Sequence, residues 1–166
     1  FVEFEPTRTT MNHDVTFNIK NVLSNIGYDI YLVEAPALAN DSNATDIQRL
    51  PTKLRCTVGY HDQSGAEQTE ILQSSITTTP DIVDYILLAE DYKFPCSSFG
   101  VEEEKPQVTL KVETRVSSSE QRNNTFTRTM RIDCILLVPH GITQVTEDAF
   151  HFSPHGDGIV YTVLKK

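Results

Sequence analysis

The two longest apolar runs of the chain both have the composition of a β-strand, and both stop at a proline. They cover residues 28–36 and 130–139 and are rich in Ile, Leu and Val. Proline has no backbone N–H to donate to a neighbouring strand, so it is a natural end for such a run. Almost no segment of the chain has a helical period. These runs therefore predict an all-β globular protein.

Alternation of apolar and polar residues predicts further strands, each with one buried and one wet face. Such strands are expected at residues 13–20, 53–60 and 107–115, with shorter ones at residues 1–5 and 69–72. In the segment 125–138, Arg128 breaks the alternation. We therefore expect that segment to enter a sheet only after Arg128.

About eight strands joined by polar turns, without crossover helices, are typical of a two-sheet antiparallel β-sandwich, jelly-roll-like in topology. The residues 62–65 have the composition of a hairpin turn. We assign residues 1–138 to the sandwich, and residues 139–166 to a C-terminal extension that is a candidate for an added edge strand. One core is expected to hold Phe17, Ile19, Ile30, Leu32, Val58, Leu110, Val112, Ile132 and Leu136.

Two segments are apolar on both faces, at residues 83–89 and 132–138. Strands of this kind are expected in the centre of a sheet, covered on both sides. The cover for the second face has three candidate sources: a loop, the C-terminal extension, or a neighbouring domain.

The charge of the chain argues against nucleic acid as a partner. The net charge is -9, from 14 Lys+Arg against 23 Asp+Glu, whereas a phosphate-binding surface needs a basic stripe. No apolar stretch approaches the roughly 20 residues that a membrane-spanning helix needs. The chain begins with Phe1 rather than Met, which we interpret as a processed chain or an excised domain.

Three cysteines are present, Cys56, Cys96 and Cys134. Their spacing resembles neither a zinc knuckle nor a disulfide framework. Cys56 and Cys134 fall at apolar positions of alternating strands, where a free thiol behaves as a small hydrophobic side chain. We expect buried structural thiols, with a Cys56–Cys134 disulfide as the alternative.

Two groups of residues come nearest to a metal site, and neither matches a defined motif. A zinc set would have to use three histidines and an aspartate, namely His140, His151, His155 and Asp157. A calcium loop would use alternating oxygen ligands, namely Asp41, Asn43, Thr45 and Asp46, but it lacks the turn glycine and the glutamate at the twelfth position. The sequence therefore predicts no metal and no cofactor.

Catalytic motifs are also missing from the sequence. It contains no Gly-x-Ser-x-Gly, no His-Glu-x-x-His and no glycine-rich phosphate loop. A carboxylate pair for glycoside hydrolysis is defined by distance in space, so the sequence cannot name one. We therefore expect no enzymatic activity.

Aromatic side chains are the remaining candidates for a ligand site. A sugar-stacking face needs rings that point to solvent, and the chain has no Trp. Tyr31 is out of phase with Ile30 and Leu32, and three further rings lie near the loop at residues 95–100. The candidate ligand-binding residues are Tyr31, Tyr92, Phe94 and Phe99, against the alternative that most of the rings belong to the core.

Taken together, these segments resemble a known family. Residues 17–24 followed by 28–36 resemble the opening of a β-sandwich module of Bacteroidetes surface lipoproteins, often those that also carry fasciclin domains. Residues 86–95 and 129–139 are similar to its later strands. The resemblance implies a module on the extracellular face of the cell envelope, anchored to the outer membrane through a removed N-terminal segment. It brings no catalytic residues, and a looser similarity links the chain to jelly-roll carbohydrate-binding modules.

From these observations we expect a non-catalytic interaction or spacer module of a cell-surface lipoprotein. Its partners would be other domains of the same surface protein, or an extracellular glycan or protein. The alternative is a carbohydrate-binding module with an aromatic stacking face. A remote third hypothesis is a glycan-cleaving enzyme with an unrecognised carboxylate pair.

Overall fold

The computed structural model describes residues 2–4, 11–36, 49–98 and 108–141. Within these ranges the chain forms eight β-strands and one short α-helix. The elements in chain order are β1 (Val2–Phe4), β2 (Asp14–Ile19), β3 (Gly27–Glu34), β4 (Lys53–His61), β5 (Glu67–Thr77), β6 (Asp84–Lys93), β7 (Val108–Thr114), α1 (Ser118–Arg122) and β8 (Met130–Pro139).

The strands form two four-stranded antiparallel sheets. Sheet A has the order β1-β8-β3-β6, and sheet B has the order β2-β7-β4-β5. The pairs β1–β8, β2–β7, β3–β6 and β4–β5 nest inside one another, as in one long hairpin wound around a core. This is the jelly-roll arrangement of a two-sheet sandwich, and it confirms the predicted fold class.

The core lies between the two sheets and is built from the inward side of the alternation. Seven of the nine predicted core residues belong to its buried cluster: Ile19, Ile30, Leu32, Val58, Leu110, Val112 and Ile132. Phe17 is half-buried and packs against that cluster. The period-two pattern therefore predicted the inner face of β2, β4 and β7, because successive side chains of a strand point to opposite faces.

A register shift in β8 changes which residues of that strand face the core. The pairing of β8 with β3 slips between Cys134, opposite Val33, and Ile132, opposite Glu34. One extra residue in a strand reverses the alternation beyond it. Ile135 and Leu137 consequently pack against the core. Leu136 is buried, as expected, but its register places it on the outer side of sheet A rather than between the sheets.

The prediction for residues 83–89 is wrong in one respect. Their strand, β6, is an edge strand of sheet A rather than a central one, and Leu87 is 42% exposed. The second segment, in β8, does lie in the interior of its sheet, between β1 and β3. Both segments are apolar on two sides because each contributes side chains to the apolar part of the outer side of sheet A. This holds for the edge strand β6 as well as for the interior strand β8.

Local signals account for the connections. Asp62 Oδ1 accepts hydrogen bonds from the backbone N–H groups of Ser64 (2.9 Å) and Ala66 (3.0 Å), and Gly65 has a φ of 81°, which forms the predicted hairpin turn. The polar stretch after β7 contains α1, which begins with a capping box between Ser117 and Glu120.

Arg128 interrupts the alternation because its side chain is buried for hydrogen bonding. Its guanidinium donates to the Val116 carbonyl at 2.9 Å and to Asn12 Oδ1 at 3.2 Å. β8 then begins at Met130, so the expectation that this segment joins the sheet only after Arg128 is confirmed.

Several expectations concern residues outside the described ranges. These include the extension beyond residue 141 with His151, His155 and Asp157, the candidate calcium loop at residues 41–46, and Phe99. All three cysteines are described, and Cys56 and Cys134 are free thiols, so the alternative of a Cys56–Cys134 disulfide is not formed. In the described part of the chain, no helix has the length and apolar character needed to cross a membrane.

Candidate functional site

The outer face of sheet B is polar and carries ion pairs between neighbouring strands. Lys111 Nζ lies 2.7 Å from Asp14 Oδ2, and the guanidinium of Arg55 pairs with Glu113 on the neighbouring strand. Thr57 stands opposite Lys111 in the register. This is the chemistry expected for the solvent side of an antiparallel sandwich.

The outer face of sheet A is apolar in its central part, between the Arg131–Glu3 ion pair on β8 and β1 and the Asp29–His140 pair at the end of β8. Tyr31 stands opposite Leu87 on one side and Leu136 on the other, and Val33 stands opposite Tyr85. These residues alternate with core residues of the same strands, so their side chains point away from the core. We call Tyr31, Val33, Tyr85, Leu87 and Leu136 the outer apolar face.

Burial varies across the outer apolar face. Val33 in the middle is 0% exposed and Leu136 is 7% exposed, whereas Leu87 on the edge strand is 42% exposed. Ile82 and Val83, which lead into β6, are also exposed. The apolar surface that is open to solvent therefore lies along β6 and just before it. Exposed apolar side chains that lie near one another in this way are typical of an interaction site.

The structure does not bring the four predicted aromatic residues together. Tyr31 lies on the outer apolar face, whereas Tyr92 stands opposite Tyr28 and packs against the core from the inner side of β6. Phe94 is only 2% exposed, which corrects the expectation that its ring is open for stacking. Phe99 lies outside the described residues.

Phe94 is buried because it is the centre of an aromatic cluster. Its ring meets Tyr92 edge to face, with centroids 5.1 Å apart, and meets Tyr28 in a similar way at 5.7 Å. Edge-to-face pairs stabilise the core beyond the burial of their area. Phe94 and Tyr28 therefore have a structural role at this end of the sandwich.

Tyr92 connects the two sheets. Its hydroxyl donates a hydrogen bond of 2.9 Å to Glu70 Oε2 on β5. Burial of the ring, and then the bond to Glu70, raise the pKa of Tyr92 above its ordinary value of 10. The hydroxyl therefore stays protonated and remains a donor at physiological pH.

Sequence reasoning did not select Tyr85, although the structure places it with Tyr31. Tyr85 stands opposite Val33, and Tyr31 stands opposite Leu87, so the two tyrosines are diagonal neighbours on one face. Diagonal positions of an antiparallel pair are roughly 7–8 Å apart. The apolar residues that are out of phase in β3 and β6 indicated a second apolar face. The pairing of these residues across the two strands cannot be predicted from either segment alone.

Glu34 is a buried carboxylate at the end of β3, only 4% exposed. It accepts hydrogen bonds from the Thr78 hydroxyl and the Thr79 backbone N–H. Burial raises the pKa of Glu34 to about 7; those two hydrogen bonds oppose the rise, and the nearby charge of Asp84 adds to it. Neither Glu34 nor Asp84 was singled out from the sequence.

His, Cys, Asp and Glu side chains do not gather into a metal centre in the described part of the chain. Within the described ranges, no group of three or more His, Cys, Asp or Glu side chains is placed to hold a metal ion. His140 is used differently: its Nδ1 lies 2.8 Å from Asp29 Oδ1.

Comparison with known proteins adds no relative to this picture. No protein-family model, no curated protein and no solved structure matches the chain.

Proposed function

We propose that this protein is a non-catalytic interaction module of a cell-surface lipoprotein of the Bacteroidetes type. In this proposal it stands on the extracellular face of the cell envelope, and its outer apolar face packs against another folded domain of the same surface protein. The observation that carries the proposal is the patch of Tyr, Val and Leu side chains in the central part of the outer face of sheet A, whereas the outer face of sheet B carries ion pairs between neighbouring strands.

The energetics of the outer apolar face support this function. Burying apolar surface is favourable by roughly 25 cal/mol per Å². Leu87, Val83 and Ile82 are each more than two-fifths exposed, so they retain area for a partner to cover. Interface cores are enriched in aromatic side chains and depleted of charge, which is the composition of this face around Tyr31 and Tyr85.

The cellular setting in the proposal comes from the resemblance of the strand segments to surface lipoprotein modules. The net charge of -9 fits a soluble module exposed to solvent and disfavours nucleic acid as a partner. A neighbouring domain is also one of the three candidates to cover the second apolar face, with a loop and the C-terminal extension. The proposal therefore commits to a protein partner.

Site-specific crosslinking in the whole surface protein tests the proposal. A photo-reactive amino acid is introduced at Leu87 on the outer apolar face, and in a matched control at Thr57 on the outer face of sheet B. We expect crosslinks from position 87 to another domain of the same protein, identified by mass spectrometry, and few from position 57. Equal yields from the two positions would refute the assignment of this face.

A second candidate function, carbohydrate binding, is favoured by one observation. Tyr31 and Tyr85 are diagonal neighbours on an apolar face, and two such rings are the minimum for a sugar-stacking platform. A glycan array with the wild-type domain and Tyr31→Ala separates the two candidates. Specific binding that Tyr31→Ala abolishes would favour the sugar site, and turnover of any polysaccharide would refute both non-catalytic functions.

A further inference from the structure

Glu34 and Asp84 face each other across the sheet. They are directly opposed in the antiparallel pairing of β3 with β6. The next inward pair along the same strands is Leu32 and Ile86, and both of these pack in or against the core. Directly opposed side chains have Cβ atoms about 4.5–5.5 Å apart, and like charges at that distance repel. The sandwich thus places two carboxylates side by side on its inner face.

One oxygen of this pair is buried and unsatisfied. Glu34 Oε2 has no hydrogen-bond partner among the described residues, although the side chain is 96% buried. A buried polar atom without a partner costs free energy, and a buried charged one costs more. Such an atom is therefore either protonated or matched by a group outside the described residues.

A hydrogen-bonded network fixes the position of Glu34. The Thr52 backbone N–H donates to Thr78 Oγ1 at 2.9 Å, and the Thr78 hydroxyl in turn donates to Glu34. Thr52 Oγ1 is also buried and has no partner among the described residues. The network connects β3 of sheet A to the ends of β4 and β5 in sheet B. It holds a second unsatisfied oxygen in addition to the one on Glu34.

Positive charge from the described residues compensates little for this pair. Arg131 is the only cationic side chain that acts on the Glu34 carboxyl group among the described residues, and its effect is smaller than the repulsion from Asp84. Arg131 alternates with the core residues Met130 and Ile132, so it points to the other side of sheet A. There its Nε lies 2.6 Å from Glu3 Oε2.

We propose that Glu34 and Asp84 bind a hard divalent cation, with calcium as the ion. Calcium takes six to eight oxygen ligands in flexible geometry, drawn from carboxylates, backbone carbonyls and waters. Two opposed carboxylates supply negative charge for the ion, and Asp84 is only half-buried, so water can reach this end of the pair. The site has two acidic side chains, so it differs from a metal centre with three or more His, Cys, Asp or Glu ligands.

A thermal-shift titration tests the site. The domain is first treated with a chelator and dialysed, and its melting temperature is then measured against added calcium. An ion that binds only the folded state stabilises it by mass action. At about a hundredfold excess of calcium over Kd we expect the melting temperature to rise by about 5–10 °C, and the rise to disappear on chelation.

Three variants decide the assignment. Asp84→Asn and Glu34→Gln are expected to lose the calcium-dependent rise, whereas Glu67→Gln, which changes an exposed carboxylate at the start of β5, should keep it. If Glu34→Gln does not fold, Asp84→Asn alone decides, because Asp84 is only half-buried. No rise in the wild type would overturn the proposal, and so would a rise that persists in Asp84→Asn. A variant Glu34→Gln that matches the wild type at every calcium concentration would show that a proton satisfies the pair.

Discussion

The Tyr92 hydroxyl on β6 donates a hydrogen bond to Glu70 on β5, and this contact joins the edge strands of the two sheets. β5 ends sheet B and β6 ends sheet A, so no backbone ladder connects them. Their outer rims are held together by side chains. This is why Tyr92, selected from the sequence as a ligand-binding ring, has a structural role in the folded chain.

The first prediction concerns this contact. Tyr92→Phe keeps the ring in its aromatic cluster and removes only the hydroxyl, so we expect a loss of about 0.5–1.5 kcal/mol in the free energy of unfolding. Urea denaturation measures the change. Tyr31→Phe, on the outer apolar face, is the matched control and is expected to leave stability unchanged. An equal loss in both variants would contradict a role for the bond to Glu70.

The second prediction tests the core. Ile132 is buried between the sheets, so Ile132→Ala leaves a cavity and is expected to cost about 2–5 kcal/mol. Leu87→Ala removes a similar volume from the exposed edge strand and should change stability by only about 0.5 kcal/mol. Chemical denaturation measures the free energy of unfolding of both variants. The comparison holds if the dependence of that free energy on denaturant concentration is the same in both. Similar losses would mean that β6 is covered in the isolated domain.

The third prediction concerns the thiols. Burial raises the pKa of Cys56 to about 12 and, with the charge of Asp133, that of Cys134 to about 11; burial also raises the pKa of Cys96. Only the thiolate is a good nucleophile. We expect slow reaction of all three with Ellman's reagent at pH 8 in the folded protein, and fast reaction after unfolding.

Reductant provides the complementary measurement on the thiols. Since Cys56 and Cys134 form no disulfide with each other, added reductant should not change the melting temperature. A large drop would reveal a disulfide, because such a bond typically stabilises by about 2–4 kcal/mol.

The fourth prediction is a pH dependence at the end of β8. The bond to Asp29, helped by the charges of Asp91 and Glu90, raises the pKa of His140 above its ordinary value of 6.5. The contribution of this ion pair is therefore complete below pH 6.5 and is lost as the pH rises through the raised pKa. Hydrogen bonding from Asp91 and the bond to His140 lower the pKa of Asp29 below 3.8, so the contribution is also lost at strongly acidic pH.

An NMR titration of the His140 ring checks this dependence. In Asp29→Asn, the pKa of His140 is expected to fall toward 6.5, because the main cause of the rise is removed. His140→Ala should lose stability relative to the wild type at pH 6 and less at pH 8. An unchanged titration of His140 in Asp29→Asn would contradict the assignment of the bond.

Strand positions and the inner face were predictable because alternation is a local property. Val108, Leu110 and Val112 of β7 face the core of the sandwich, as their spacing indicates. Arg128 was recognisable as a break because a charged residue stood at an apolar position. The prolines and the Asp62–Gly65 turn marked where strands end. Each of these signals acts between residues that are close in the chain.

The candidate site was predictable only in part. Tyr31 was placed correctly on the outer side of β3, and the need for a cover on the second apolar face was visible in the apolar run of β8. The prediction that Phe94 is exposed was wrong because its ring is buried against Tyr28, a residue of another strand. Tyr28 stands opposite Tyr92 in the pairing of β3 with β6. A sequence does not display such contacts across a sheet.

The sequence by itself determined the class of the fold and the inner faces of β2, β4 and β7, because a period of two sorts side chains without reference to any partner strand. Only the tertiary structure decided the rest. The register shift in β8 moved Leu136 to the outer side, the position of β6 at an edge exposed Leu87, and the pairing of β3 with β6 set Glu34 beside Asp84. Register and strand order join residues far apart in the chain, and that is where the apolar face and the carboxylate pair arise.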